Sequence, residues 1–197
     1  MRNRNSKLIK LSLTGLFAAL CFVMFTFVQI KIPVPGGDAT SLHIGNAFCV
    51  LAALMLGGTY GGLAGAIGMT IADIIDPVYI VVAPKTFVLK LCIGLITGLV
   101  AHKIAKVNES NDKKYVFKWS LISSVSGLAF NVIADPIVGY FYKQYVLGQP
   151  QKAASILAKI SAMATFINAV VSVIIVVIVY NAIFPLLKKH GLLLQEK

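Results

Sequence analysis

Charge is what this sequence has least of. Only 13% of its 197 residues are charged, where a soluble domain carries about 25%. Acidic residues are scarcest, seven against eighteen Lys and Arg, while 58% of the chain is hydrophobic. That composition excludes an ordinary soluble surface. It reads as an all-α integral membrane protein, a single membrane domain over residues 1–197 with no second soluble domain. A net charge of +11 would suggest nucleic acid in a soluble protein, but no platform of interleaved aromatic and basic residues is present. In a bilayer the same lysines mark the cytoplasmic side. Cysteine is sparse too. Cys21, Cys49 and Cys92 lie inside apolar runs, and their spacing fits neither a CxxC motif nor a zinc pattern. They read as small core residues, and no metal is expected. A GxxxxGK[ST] loop is missing as well, so the chain is expected to bind no ATP itself. No small-x-small cleavage site follows the first apolar segment, which therefore reads as a retained span.

What is present is a set of six hydrophobic segments, at 8–30, 43–56, 60–75, 86–102, 118–145 and 158–187. A span needs about 20 residues. The second and third segments are short and are expected to shelter inside a six-helix bundle. The last two are long and are expected to tilt or run past the bilayer. Arg2, Arg4, Lys7 and Lys10 precede the first segment. Lys103, Lys106, Lys113, Lys114 and Lys118 separate the fourth from the fifth, and Lys188, Lys189 and Lys197 follow the sixth. With six crossings these three pieces share one side, which predicts both termini inside. The loop at 31–42, stiffened by Pro33 and Pro35 and loosened by Gly36 and Gly37, then faces outside.

Polar groups within spans are costly and are candidate site residues for that reason. Lys90 lies in the fourth segment. Asn131 and Asp135 lie in the fifth, four apart and so on one helix face. Pro136 follows and is placed to kink that helix. Thr165, Asn168 and Ser172 share a face of the sixth. Asp73 and Asp76 stand near the outer end of the third. Lys90, Asn131, Asp135 and Asn168 converge at one depth in the outer half, which predicts an outward-facing ligand pocket with the 31–42 loop as its lid. His43, Asn46 and Tyr79 are placed to add polar and stacking contacts. Each also has a plainer structural reading: Lys90 neutralising Asp135, Asn168 bonding a neighbouring backbone, Asp73 capping its helix.

Small residues recur every four positions at Gly57, Gly61 and Gly65, at Gly58, Gly62 and Ala66, and at Ala64, Gly68 and Ala72. This spacing lets helices approach closely and reads as packing within the bundle. The first helix carries a weaker set, Gly15 and Ala19 with Ala18 beside them.

The run GGDATSLHIGNAFCVLAALMLGGTYGGLAGAIGMTIADIIDPVYIVVAPKTFVLKLCIGLITGL resembles the substrate-binding S component of energy-coupling factor (ECF) vitamin transporters. The matching positions are Gly36 and Gly37, Ile44-Gly45-Asn46, the turn from Gly57 to Gly62, Ala72-Asp73, and Thr86 through Lys90. Asn46 stands where the family pattern usually has an acid. The resemblance implies a six-helix bundle in the bacterial plasma membrane that binds a small vitamin or precursor. It implies partners too: a membrane scaffold (T) subunit and two cytoplasmic ATPase subunits, which would use the ATP. Gly15, Ala18 and Ala19 are the implied docking residues, a variant of an Ala-x-x-x-Ala pattern. The implied substrates are pyridoxine (vitamin B6) or the hydroxymethylpyrimidine precursor of thiamine, with riboflavin as the alternative. Tyr79, Phe130, Tyr140 or Phe166 would stack on such a ring, Asn131 and Asn168 would bond its nitrogens or hydroxyls, and Lys90 and Asp135 would meet polar substituents.

Two other classes are open to this sequence. Asp73-x-x-Asp76 has the look of a metal-binding pair of a membrane phosphotransferase, yet such a site needs further acidic partners and the next residues are Pro77 and Val78. Ser126 and the histidines His43, His102 and His190, all at segment ends, make a poor protease set. The chain is therefore expected not to be an enzyme. An autonomous secondary transporter commonly shows two repeated halves, and no repeat relates the first three spans to the last three.

Overall fold

The computed structural model describes residues 2–34, 38–189 and 193. Pro35, Gly36, Gly37 and His190 lie outside the described residues.

The first helix, α1 (Arg2–Thr26), is shorter at its outer end than the 8–30 segment. At 29–34 the sequence QIKIPV alternates β-branched and other residues and then meets Pro33, a pattern that suits an extended edge strand better than a helix. It forms β1 (Gln29–Val34), which pairs antiparallel with β2 (Asp38–His43) from Gln29↔His43 to Val34↔Asp38. The fold is all-α as predicted apart from this one connection, where the expected loop is a two-stranded hairpin. His43 belongs to that hairpin and not to the second span.

Five further helices follow. α2 (Gly45–Leu56) and α3 (Gly58–Ile75) are joined through Gly57 alone, whose φ of 96° only glycine adopts without strain. α4 (Ala83–Gly98) starts with Pro84 in its first turn, where the missing N–H costs nothing. It continues as a π-helical turn over Leu99–Ile104. α5 (Lys113–Phe141) is capped by Asp112, whose carboxylate accepts from the Lys114 amide, and α6 (Gln151–Lys189) spans 39 residues. The regions around α1, α4, α5 and α6 are long and apolar enough to cross a membrane. α2 is not, but nearly all of it is buried. Its 12 residues extend about 18 Å at 1.5 Å each, and the other helices, not lipid, surround its ends.

The glycines explain how the other five helices enclose so short a one. Gly58 and Gly62 of α3 lie directly against Gly98 and Gly94 of α4: a Cβ on Gly94 would stand 2.2 Å from the Gly62 Cα. A Cβ on Gly61 would meet the Ala53 backbone of α2 at 2.2 Å, and one on Gly68 the Ala18 carbonyl of α1 at 2.1 Å. The four-residue stripes are thus the contact seams of α3 with three neighbours. The exterior is the reverse of a soluble protein's. Ile67, Ile71, Ile74, Val88, Leu95, Ile133 and Ile178 are exposed, while Asn46, Asp73, Lys90, Asn131 and Ser124 are buried, as expected of a chain whose solvent is lipid.

Candidate functional site

The hairpin, the ends of α3, α4 and α5 nearest to it, and the N-terminal half of α6 enclose a cavity of about 110 Å³. Its walls include Phe25 of α1, Ser41 and His43 of β2, Asn46 at the start of α2, Asp73 of α3, Lys85 and Lys90 of α4, Asn131 and Asp135 of α5, and Thr165 and Asn168 of α6. Polar side chains at this depth need partners, and the partners divide the site into a framework and a set of unengaged groups.

Asp135 belongs to the framework. Lys85 donates to its Oδ1 at 2.8 Å, and the hydroxyls of Ser161 and Thr165 donate to its Oδ2 at 2.7 and 3.1 Å. The charge pair expected between Lys90 and Asp135 is therefore corrected. Lys85, three residues into the helix and just before the predicted 86–102 segment, reaches the carboxylate instead. Asn168 also belongs to the framework. Its Oδ1 accepts from the His43 amide at 3.0 Å and its Nδ2 donates to the Ser41 carbonyl at 2.9 Å. It thereby pins β2 to α6, and its amide is spent on backbone. Lys31 of β1 pairs with Asp76 at the end of α3 and lies 5.4 Å from the centre of the Tyr79 ring, so the other strand is fastened as well.

His43 stacks edge-on against Phe25, with centroids 4.5 Å apart, and Tyr79 lies 6.3 Å from Phe25 on its other side. These three rings form one wall. Burial, and then the charge of Lys90, push the His43 imidazole down to about 3, so it is neutral at physiological pH. Its Nδ1 has no partner.

The unengaged groups face the same space. Lys90 is 7% exposed and takes part in neither of the ion pairs found among the described residues. Asp73 is 1% exposed; Thr86 donates to its carboxylate, yet its Oδ2 has no partner. The side-chain oxygens of Asn46 and Asn131 are buried without a partner too.

The other sequence candidates are placed differently. Tyr140 does not line the cavity. Positions 131, 135 and 139 face it, and residue 140 is turned about 100° further round the helix, into a shallow groove with Phe141 and Ala162. Phe166 is exposed for the same reason, being one residue after Thr165. Ala18 is buried against Gly68 and cannot be touched from outside, whereas Gly15 and Ala19 are exposed. Asp73 and Asp76 point to different partners, so they do not form a metal pair. Among the described residues no group of three or more metal-ligating side chains occurs. Phe25, Ser41 and Ser161 join Lys85 among the cavity residues that were not legible in the sequence. An apolar ring in an apolar helix gives no contrast, and Ser161 precedes the polar stripe by one turn.

The arrangement can capture a small ring between aromatic and amide groups. The sequence profile described as ECF-type riboflavin transporter, S component, matches residues 5–184. No curated protein matches the chain. Among solved structures it is similar to ThiT from Listeria monocytogenes, with a TM-score of 0.65 and 19% identity over 92% of this chain and 98% of that one, a likeness of fold. With the profile covering nearly its whole length, the chain belongs to the ECF-type S components, multi-pass membrane subunits that bind a vitamin for transport and are not enzymes.

Proposed function

We propose that this subunit captures a single-ring vitamin or precursor, pyridoxine or the hydroxymethylpyrimidine precursor of thiamine, from outside a bacterial plasma membrane. Both termini face the cytoplasm. It hands the ligand to a scaffold T subunit driven by two ATPases, and ATP is used there and not by this chain. The observation that carries the reading is the size and lining of the cavity. At about 110 Å³ it is well below the roughly 300–1,000 Å³ that hold drug-sized ligands, and its walls offer amide, carboxylate, ammonium and imidazole groups. A one-ring compound bearing hydroxymethyl groups matches both features. Lys90, Asn131, Asp73, Asn46, His43 and Tyr79 are the proposed ligand contacts, while Asp135 and Asn168 hold the frame around them.

Riboflavin is the second reading, favoured by the description of the matching family. Its three-ring system with a ribityl chain needs more volume than a cavity of about 110 Å³ offers. Native mass spectrometry of the detergent-purified chain, with the co-purified small molecule released and identified, separates the two. A pyridine or pyrimidine supports the proposal, and a flavin overturns it in favour of the second reading.

A further inference from the structure

Lys90 and Asp73 differ from the other unengaged groups in one respect. An amide can turn over and exchange its donor and acceptor ends, whereas an ammonium only donates and an ionised carboxylate only accepts. Both are nine-tenths or more buried, both line the cavity, and they come from neighbouring helices. Asp135 makes its direct contacts with Lys85 and two hydroxyls, so it and Asp73 act on the Lys90 charge only through space. Among the described residues, the cavity thus presents Lys90 without a salt bridge and the Asp73 Oδ2 without a hydrogen bond. Burying such groups is costly unless something pairs with them.

From this we infer that the ligand is bound as a zwitterion: a six-membered aromatic ring with an ionised ring oxygen facing Lys90 and a protonated ring nitrogen facing Asp73. Resting on the single-ring reading above, the inference narrows it. A 3-hydroxypyridine such as pyridoxine supplies both charges on one small ring. An aminopyrimidine has no acidic oxygen for Lys90, and a ring carrying only a positive charge leaves that ammonium without a directly paired anion. The hydroxymethyl arms of the pyridine then reach the amide oxygens of Asn46 and Asn131 and the free nitrogen of His43, each an acceptor waiting for a hydroxyl.

The test uses pyridoxine, its analogue lacking the ring hydroxyl, and the hydroxymethylpyrimidine. Each is titrated into the purified full chain by calorimetry, with the ultraviolet spectrum of bound pyridoxine recorded, since its zwitterionic and uncharged forms absorb at different wavelengths. Wild type is expected to bind pyridoxine as the zwitterion and to bind the deoxy analogue about tenfold to a hundredfold more weakly, the range for a charged hydrogen bond. In Lys90→Met the two ligands are expected to bind alike, and any bound pyridoxine to shift towards the uncharged form. The wild-type comparison and spectrum stand even if that variant does not fold. Equal wild-type affinity for pyridoxine and the deoxy analogue, or an uncharged bound form, overturns the zwitterion while leaving the single-ring reading intact. So does tight binding of the pyrimidine alone. Binding of riboflavin and none of the three rings overturns both.

Discussion

Asp135 accepts from Lys85, Ser161 and Thr165 together, so removing its charge strands a largely buried ammonium and two hydroxyls. Breaking a buried pair from one side typically costs about 3–5 kcal/mol, whereas replacing both partners by apolar groups is often neutral. Asp135→Asn is therefore expected to lower the thermal unfolding midpoint in detergent sharply, and the double variant Lys85→Met/Asp135→Leu to recover most of the loss. Asn168 acts on the hairpin instead. Its two bonds to the β2 backbone contribute about 1 kcal/mol each. Asn168→Ala is expected to raise the opening constant of the hairpin roughly thirtyfold, read as faster amide exchange at 39–43 with the helices unaffected. His43 adds a pH dependence of known sign. Its unfolded imidazole takes a proton near 6.5 and the buried one only near 3, because of burial and then Lys90. Between those values the unfolded chain binds more protons, so stability falls as pH falls through that window, by up to about 1.4 kcal/mol per unit. Unfolding measured from pH 7 to 4 is expected to lose that slope in His43→Gln.

The helices meet along seams of hydrogen atoms where side chains would be. At Gly94 an added methyl would lie 2.2 Å from both the Cα and the nitrogen of Gly62, and at Gly15 it would meet nothing within 4 Å. Gly94→Ala must push α3 and α4 apart, an overpacking cost of about 1–3 kcal/mol or more. Gly15→Ala should leave the unfolding midpoint in place; equal behaviour of the two variants would show that the seam yields. These seams were legible in the sequence, because four-residue spacing of small residues has few other uses in an apolar helix. So was the convergence of Lys90, Asn131 and Asp135, since helical period and depth depend on spacing alone. The hairpin was not. QIKIPV and DATSLH each read as loop or helix end until paired, and the pairing is non-local. Nor was the partner of Asp135. Lys85 and Lys90 both stand in the N-terminal half of α4, and only the rotation of that helix decides which one the carboxylate meets. Tyr140 failed for a related reason: it was judged by its chemistry, and its turn relative to Asp135 puts it on the far side of α5.

At the scale of the whole molecule, polarity is sorted by direction. The cavity and hairpin occupy one end. At the other, Lys188 donates to the carbonyls of Glu109 and Ser110, and Tyr180 donates to Asn108, which gathers the basic α4–α5 linker and the end of α6 away from the ligand. Capture and delivery therefore have to communicate through the apolar belt between, where a partner in the membrane finds side chains no more polar than lipid. Close approach of a second helix there depends on small residues. On α1 the inward positions Phe17, Ala18 and Cys21 are buried by the chain itself, and Gly15 and Ala19 are left exposed on the opposite side. The scaffold surface proposed here is thus Gly15-x-x-x-Ala19 without Ala18. Gly15→Leu places a side chain in open space, so the fold and the ligand affinity of the isolated chain should stay within about twofold of wild type, well under 1 kcal/mol. Co-purification with the scaffold and ATPase subunits should be lost, and Ala18→Ser, inside the α1–α3 contact, should leave it intact. Retained co-purification of Gly15→Leu would move the docking surface to another face of the bundle.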